Sequence, residues 1–281
     1  TFNQMGASTG RFSSTDPNLQ NIPIKNELGK KIRYGFIAEK GKVFVSLDYS
    51  QIELRIAALL SGDKFMSQVF RDDKDIHTAI AVKVFHVDED SVTSEMRRRA
   101  KIINFGILYG MGVTALQQDL GTSRQEAQEF HDAYFKEFPE IKGYLEGVIE
   151  GAIKAGYTLT LFGRQRQFPG LKSSIQFIRA MAERMAINAP IQGTATADII
   201  KLGMIKADQE LSKSKVFSDV KLILQVHDEL IYEISEDLVD AFIPIVKKAM
   251  ENVIPKEFTK DKESVPLKVS IGVGKSWGEL K

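Results

Sequence analysis

The chain is β-rich at both ends and helical between them, and that ordering constrains its fold more than any other feature. In Lys42-Val-Phe-Val-Ser-Leu-Asp48, Val43, Val45 and Leu47 alternate, which reads as a strand ending at Asp48. Far downstream, Val220–Val226 and Leu230–Ile234 flank His227-Asp228-Glu229, a hairpin pattern with a short polar tip. Val265, Leu267, Val269, Ile271 and Val273 alternate over a final strand, after a helical pattern at 236–253. Between the ends, Ile52, Leu54, Ile56, Leu59 and Leu60 suit a buried helix, and further helices are expected over 75–85 and 94–109. Ser123 and Glu126 form a capping box, Pro139 suits a first helical turn, and Gly156 suits the position past a helix end. Residues 174–211 read as more helix, broken or bent at Pro190. One sheet must therefore be assembled from both ends, with the helical stretch as an insertion that packs by itself.

Composition narrows the classes of function. A chain of 281 residues suits one large or two small units. Lys plus Arg is 38 and Asp plus Glu is 37, so a polyanionic partner must be met by a local patch. The absence of cysteine excludes a disulfide scaffold, a thiolate-ligated metal and a thiol nucleophile. No run approaches the roughly 20 apolar residues of a membrane span. Residues 1–34 are rich in turn formers and locally basic, and Lys25, Lys30, Lys31 and Arg33 there read as phosphate contacts or solvated cations.

Asp48 and Asp228 both fall where a sheet presents side chains at one edge, although 180 residues separate them. Two carboxylates meeting there could bind divalent ions that prefer oxygen ligands. A helix N-cap at Asp48 and a turn residue at Asp228 would equally explain the two positions. In the 94–109 helix, Arg97, Lys101, Phe105 and Tyr109 are four apart, so they fall within an arc of about 120° spread over about 18 Å. Two cations, an aromatic and a tyrosine in that order suit a triphosphate, a base or sugar, and the far end of a nucleotide. The alternative is a solvated turn followed by a core-facing stripe. Gly106 is costly within a helix and points to close approach by another group.

These residues spell a recognisable pattern. Thr9-Gly-Arg-Phe-Ser-Ser-Thr-Asp-Pro-Asn-Leu-Gln-Asn-Ile-Pro23, Asp48-Tyr-Ser-Gln-Ile-Glu-Leu-Arg55, Arg97-x3-Lys101-x3-Phe105-Gly-x2-Tyr109-Gly110, Asn188-Ala-Pro-Ile-Gln-Gly-Thr-Ala195 and Gln225-Val-His-Asp-Glu229 occur in order. Together they resemble the polymerase region of family A DNA polymerases, the bacterial DNA polymerase I type. The resemblance implies an α+β right-hand polymerase fold, with an antiparallel palm sheet and a large helical fingers insertion. The palm is expected at 1–55 and 174–281 and the fingers at 56–173. It also implies a fragment that lacks the thumb and the exonuclease-like domain preceding this region in the family.

The implied activity is template-directed DNA synthesis, in which a primer 3′-hydroxyl attacks a deoxynucleoside triphosphate and pyrophosphate leaves. Asp48, Asp228 and the Tyr49 carbonyl are implied to hold two Mg2+ ions. Arg97 and Lys101 are implied as the catalytic cations, and Gln51, Glu53, His77, Phe105 and Tyr109 are implied to complete the nucleotide site. Glu53, beside Tyr109, is implied to leave no room for a 2′-hydroxyl, and Phe105 resembles family members that reject dideoxynucleotides. Arg11, Asn18, Gln20, Asn21, Arg184, Asn188, Gln192 and His227 are the implied DNA contacts, with turn and cap chemistry an equal reading for Asn18 and Asn21. Glu229 is implied in a supporting role. The resemblance further implies primer-template DNA and deoxynucleoside triphosphates as partners, a monomer, no membrane, and a place in a bacterial or phage-infected cytoplasm or an organelle.

A single-subunit RNA polymerase shares the Arg-x3-Lys-x7-Tyr-Gly arrangement and both aspartates, but Asp48-Tyr-Ser-Gln-Ile-Glu53 looks like the DNA enzyme. A catalytically weak DNA-binding fragment is the other alternative. No carboxylate cluster resembles the family's 3′–5′ exonuclease, so no proofreading is expected.

Overall fold

The structure, a computed structural model, describes residues 1–23, 26–259 and 264–280. The chain divides into two compact units. One comprises Thr1–Ile52, Ala195–Pro255 and Leu267–Lys281, and the other Glu53–Thr194 and Lys256–Pro266. The architecture is α+β.

The first unit holds a four-stranded antiparallel sheet drawn from both ends of the chain, as the sequence pattern requires. Its strands are β1 (Lys42–Tyr49), β2 (Lys221–Val226), β3 (Glu229–Ser235) and β4 (Val269–Gly274), in the order β2-β3-β1-β4. Because β1 is central, both its faces are covered, which is why it reads as an almost unbroken apolar run. Val45 and Leu47 lie opposite Tyr232 and Leu230 and are fully buried. On the same face the Tyr49 hydroxyl donates to the Met250 carbonyl at 2.8 Å, from the helix Val239–Glu251. Gly203 of the helix Ile200–Leu211 lets that hydroxyl approach, since a Cβ there would lie 2.8 Å from it. On the other face Phe44 and Ile231 pack with Leu224, Val226, Trp277 and Leu280. Asp48 ends that second face, directly opposite Glu229 on β3.

Four details of this unit differ from the sequence expectation. The hairpin tip is only His227–Asp228, because Glu229 is already the first residue of β3 and is buried. The last strand is confined to Val269–Gly274; Val265 and Leu267 are buried without pairing. The turn-rich start contains a helix, Glu27–Tyr34, whose Asn26 side chain caps the Gly29 N–H at 2.7 Å. Arg33 in that helix is neither solvated nor placed for phosphate: it is buried, its guanidinium stacks 4.3 Å over Trp277, and Nη2 donates to the Ile22 carbonyl. Lys30 and Lys31 are exposed, as expected, and Lys25 lies outside the described residues.

The second unit is mainly helical. It contains α1 (Ile76–Phe85), α2 (Ser94–Leu108) and α3 (Gln176–Gly193), with the further helices Val113–Leu120, Arg124–Glu137 and Pro139–Ala155 between α2 and α3. Ser123 and Glu126 cap each other, Pro139 occupies a first helical position, and Gly156 closes its helix at φ 83°. The helix does not break at Pro190: α3 continues to Gly193 and then loosens into a π-helical turn over Thr194–Ile199. The group that approaches Gly106 is the Met111 side chain, whose Sδ would sit 3.0 Å from an added Cβ. The close contact is thus internal to the turn that ends α2. Among the described residues no helix is long and apolar enough to cross a membrane.

Candidate active site

In the sheet unit, antiparallel pairing brings Asp48 and Asp228 together. Asp48 lies opposite Glu229, and the Tyr49 N–H donates to the Asp228 carbonyl at 3.2 Å. Both aspartates are half-buried at one end of adjacent strands. Two residues beside them, Gln51 and His227, hold φ values of 52° and 56°, a left-handed conformation that is costly for residues with a Cβ. Such strain persists where surrounding structure enforces it, and functional sites are where it gathers. Among the described residues no three His, Cys, Asp or Glu side chains form a metal-binding group. The fit to a metal therefore rests on two carboxylates and neighbouring main-chain carbonyls, an all-oxygen set suited to Mg2+.

A polar chain fixes the tip that carries Asp228. Gln20 Nε2 donates to Gln225 Oε1 at 2.9 Å and to the Gln225 carbonyl at 3.2 Å, and Gln225 Nε2 donates to the His227 carbonyl. Gln225 is buried although it is polar, and its interruption of the apolar run Leu222-Ile223-Leu224 before Val226 is the signal that could have found it. Replacing Gln225 with Leu removes two side-chain hydrogen bonds made by a buried amide, so a stability loss of about 1–3 kcal/mol is expected in urea unfolding. Gln20→Leu should cost a similar amount and the double variant little more, since the two act as one network. Fully additive losses would show that they act separately.

The other candidates of this unit are distributed around the same region. Arg11 Nε donates to Thr196 Oγ1 at 2.5 Å. Asn18 caps a short 3-10 turn by accepting from the Gln20 N–H at 3.1 Å, so the turn chemistry read from the sequence is present there. Asn21 is exposed, and Glu229, 1% exposed, lies in the field of the Arg33 guanidinium, which burial lowers in pKa and Glu229 raises.

In the helical unit, α2 presents Arg97 and Lys101 exposed, Phe105 half-buried and Tyr109 at its cap, 37% exposed. The stripe is therefore an accessible face rather than a core seam. Phe105 stacks on Tyr109, with centroids 6.1 Å apart, and meets the His77 ring at 5.8 Å. The Tyr109 hydroxyl donates to Glu53 Oε2. Asp75 organises the other end: its Oδ1 caps α1 by accepting from the His77 N–H at 2.8 Å, and its Oδ2 accepts from Arg97 Nε at 2.5 Å. Burial works against ionisation of Asp75, but Arg97 and the α1 amides outweigh it and hold the carboxyl below its ordinary value. The sequence pattern places Asp75 only at the start of the 75–85 helix; neither its cap nor its grip on Arg97 is legible there.

His77 is buried, and its Nδ1 has no hydrogen-bond partner. Burial pushes the imidazole down to about 4; Asp75 opposes this, and Arg97 and Lys101 add to it. The ring is therefore neutral at pH 7. Because the folded value lies below the unfolded one, the unfolded chain binds the extra proton between pH 6.5 and 4. His77's contribution is full above pH 6.5 and falls with pH, by up to about 3 kcal/mol at pH 4. In urea unfolding followed by circular dichroism, His77→Gln should flatten that part of the stability profile. An unchanged slope would place the titration elsewhere.

The remaining candidates lie on α3. Arg184 is exposed, Asn188 and Gln192 are half-buried, and Asn188 Oδ1 has no hydrogen-bond partner. Gly110, at φ 71°, lets the turn after α2 approach the Arg184 backbone, where a Cβ would lie 3.2 Å from its Cα.

The family model for DNA polymerase family A matches residues 1–279. A thermostable DNA polymerase I of Thermus aquaticus is 46% identical over 280 residues, covering 100% of this chain and 32% of the relative. A DNA polymerase I of Mycobacterium tuberculosis is 45% identical over 278 residues, covering 99% of this chain and 30% of the relative. A solved structure described as the POL domain of Pol1 from M. smegmatis, in complex with DNA primer-template and dNTP, superimposes with a TM-score of 0.92 at 43% identity. That match covers 100% of this chain and 48% of the other. The chain belongs to DNA polymerase family A. It spans about a third of the length of the curated relatives it matches.

Proposed function

We propose that this chain carries the nucleotidyl-transfer centre of a template-directed DNA polymerase. The observation that carries the reading is the pairing of β1 with β3, which sets Asp48 and Asp228 side by side at one sheet end. In this reading residues 1–55 and 174–281 serve as palm and residues 56–173 as fingers. The primer 3′-hydroxyl gives up its proton to solvent water as its oxygen forms a bond to the α-phosphorus of a deoxynucleoside triphosphate, the bond to the bridging oxygen breaks, and pyrophosphate leaves with that electron pair.

Asp48, Asp228 and the Tyr49 carbonyl would hold Mg2+, in the number of two that this chemistry uses. When bound, such ions stabilise charge on the attacking and leaving oxygens. The chain's own groups do the rest. Arg97, pinned through Nε by Asp75, would turn its terminal nitrogens to the phosphates, and Lys101 would add a second positive charge. His77 would enter as a neutral hydrogen-bonding group rather than a charge. Phe105 would pack against the base or sugar, with Glu53 and Tyr109 bounding the sugar and Gln51 beside the triphosphate. Arg11, Asn18, Gln20, Asn21, Arg184, Asn188, Gln192 and His227 would contact the duplex. Donors of these types suit the minor groove, where every pair presents an acceptor and geometry can be checked without sequence preference.

The reading has support in the family assignment and in the relative solved with primer-template and dNTP. Magnesium-dependent primer extension by the chain tests it. Deoxynucleotide addition dictated by the template is the expected result, and a chain that binds primer-template without extending it at any magnesium concentration would overturn the reading.

A further inference from the structure

The helices Ile200–Leu211 and Val239–Glu251 cover the Tyr49 face of the sheet, away from the face that Asp48 ends. Their inner sides are committed to the core. Gly203 and Ala207 are buried on one helix, and Phe242, Val246 and Met250 on the other, with the Phe242 ring 5.1 Å from that of Tyr232. Their outer sides enclose a groove of about 500 Å³. Pro244, Lys248 and Asn252, four apart, line it from one helix and its end, and Lys206 and Glu210 line it from the other. Ile245 and Ala249 extend its apolar lining. No candidate nucleotide, metal or DNA residue lines this groove.

Two features of the groove serve nothing inside the fold. The first is Pro244, an exposed residue in the interior of its helix. Proline there removes the N–H that would bond the Asp240 carbonyl and crowds the preceding turn, which destabilises a helix. An exposed position gains no core packing in return. The second is positive charge. Among the described residues neither Lys206 nor Lys248 forms an ion pair. Lys206 Nζ donates to the Asn252 carbonyl at 2.7 Å, and the Glu210 carboxylate is met by Lys213 at 2.8 Å. Lys213 chiefly, with Lys206 and Lys248 after it, holds the Glu210 carboxyl below its ordinary value, so both cations stand within electrostatic reach of the groove.

We propose that this groove docks a short acidic and apolar segment of a partner protein. Its apolar side chains lie against Pro244, Ile245 and Ala249, and its carboxylates meet Lys206 and Lys248. Charge complementarity selects this occupant. The lysine stems lengthen the apolar walls while their ammonium groups stay at the rim, so carboxylates are wanted beside apolar groups on one ligand. A lone inorganic anion would leave the apolar lining in water. A nucleic-acid backbone would bring phosphates onto Pro244 and Ile245, which offer them no donor. A peptide laid between two helices satisfies both demands. Docking here leaves the Asp48 end of the sheet uncovered, so the partner is held without blocking that end.

The test selects a display library of random short peptides on the full chain, then titrates the enriched peptides, labelled, by fluorescence anisotropy. Enriched peptides are expected to combine Leu, Ile or Phe with Asp or Glu, and to bind more weakly as salt is added. Lys206→Glu with Lys248→Glu should weaken them at least about tenfold, and Lys248→Glu alone, at an exposed residue, about threefold. Pro244→Ala restores a helical N–H, so it should raise the urea midpoint while weakening the peptides a few-fold. Ile205→Ser, exposed on the same helix as Lys206 but outside the groove, should leave peptide affinity unchanged. Primer-template affinity should stay at the wild-type value in every variant. No enrichment, enrichment of peptides without acidic residues, or peptides that bind the double lysine variant or Pro244→Ala as tightly as wild type would each overturn the proposal. Loss of primer-template binding in the double variant would overturn it in favour of nucleic acid. A wild-type dimer that the double variant converts to monomer would overturn it in favour of a second copy of this chain.

Discussion

Asp48→Asn is expected to lower the single-turnover rate of primer extension at least about 10³-fold while leaving primer-template affinity within a few-fold of wild type. The substitution preserves shape at a half-buried strand end, and main-chain pairing of β1 with β3 and β4 does not involve the side chain. It removes one of the two negative charges that would hold the ions. Ions that clamp the attacking and leaving oxygens contribute several kcal/mol to the transition state, and each 1.4 kcal/mol is about tenfold in rate. DNA affinity is dominated by cations on phosphates, which the change does not touch. Asp228→Asn should behave alike, and the double variant should be little worse than either, because groups that act as a unit lose their effect together. Extension within tenfold of wild type in Asp48→Asn would move the metal site elsewhere. Parallel loss of DNA binding would instead trace the defect to folding of the sheet end.

What the sequence made legible follows from which interactions are periodic. The central strand was readable because both its faces are buried, so Val43, Val45 and Leu47 stand out and Asp48 marks the end. The stripe of α2 was readable because spacing by four maps directly onto a helix face. Interactions between distant, aperiodic positions were not readable. Arg33 looks like one more cation in a basic segment until Trp277, far along the chain, supplies the ring it stacks on. Glu229 looks like tip chemistry because nothing local shows that His227 can take a left-handed φ and shorten the turn to two residues. Gly106 was correctly read as a close approach, but the approaching group, Met111, follows from how the chain turns after α2. Asp75 was legible only as the start of a helix, and its hold on Arg97 was hidden, because that depends on how α1 packs beside α2.

The pairing of Glu53 with Tyr109 makes sugar selection the second large expected effect. Glu53 stands in the first turn of the helix Ile52–Ser61, and Tyr109 follows the end of α2, where its hydroxyl donates to Glu53 Oε2. The hydrogen bond fixes the carboxylate of a side chain that would otherwise sample several rotamers, and only a fixed group excludes by bulk. Glu53→Ala is expected to raise relative ribonucleotide use, as the ratio of kcat/KM for ribo- over deoxynucleotide, by about 100-fold. A site without such a wall discriminates poorly against a substrate that merely adds a hydroxyl. Glu53→Gln keeps the volume and still accepts from Tyr109, so selectivity should stay within a few-fold of wild type; a permissive Gln variant would make charge, not bulk, the selecting property. Tyr109→Phe keeps the ring and loosens only the tether, and about a tenfold relaxation is expected from the loss of one hydrogen bond to a charged group. If Glu53→Ala retained wild-type selectivity, the 2′-hydroxyl would have to be excluded by other residues. The tether between Glu53 and Tyr109 would then serve only to anchor the end of α2.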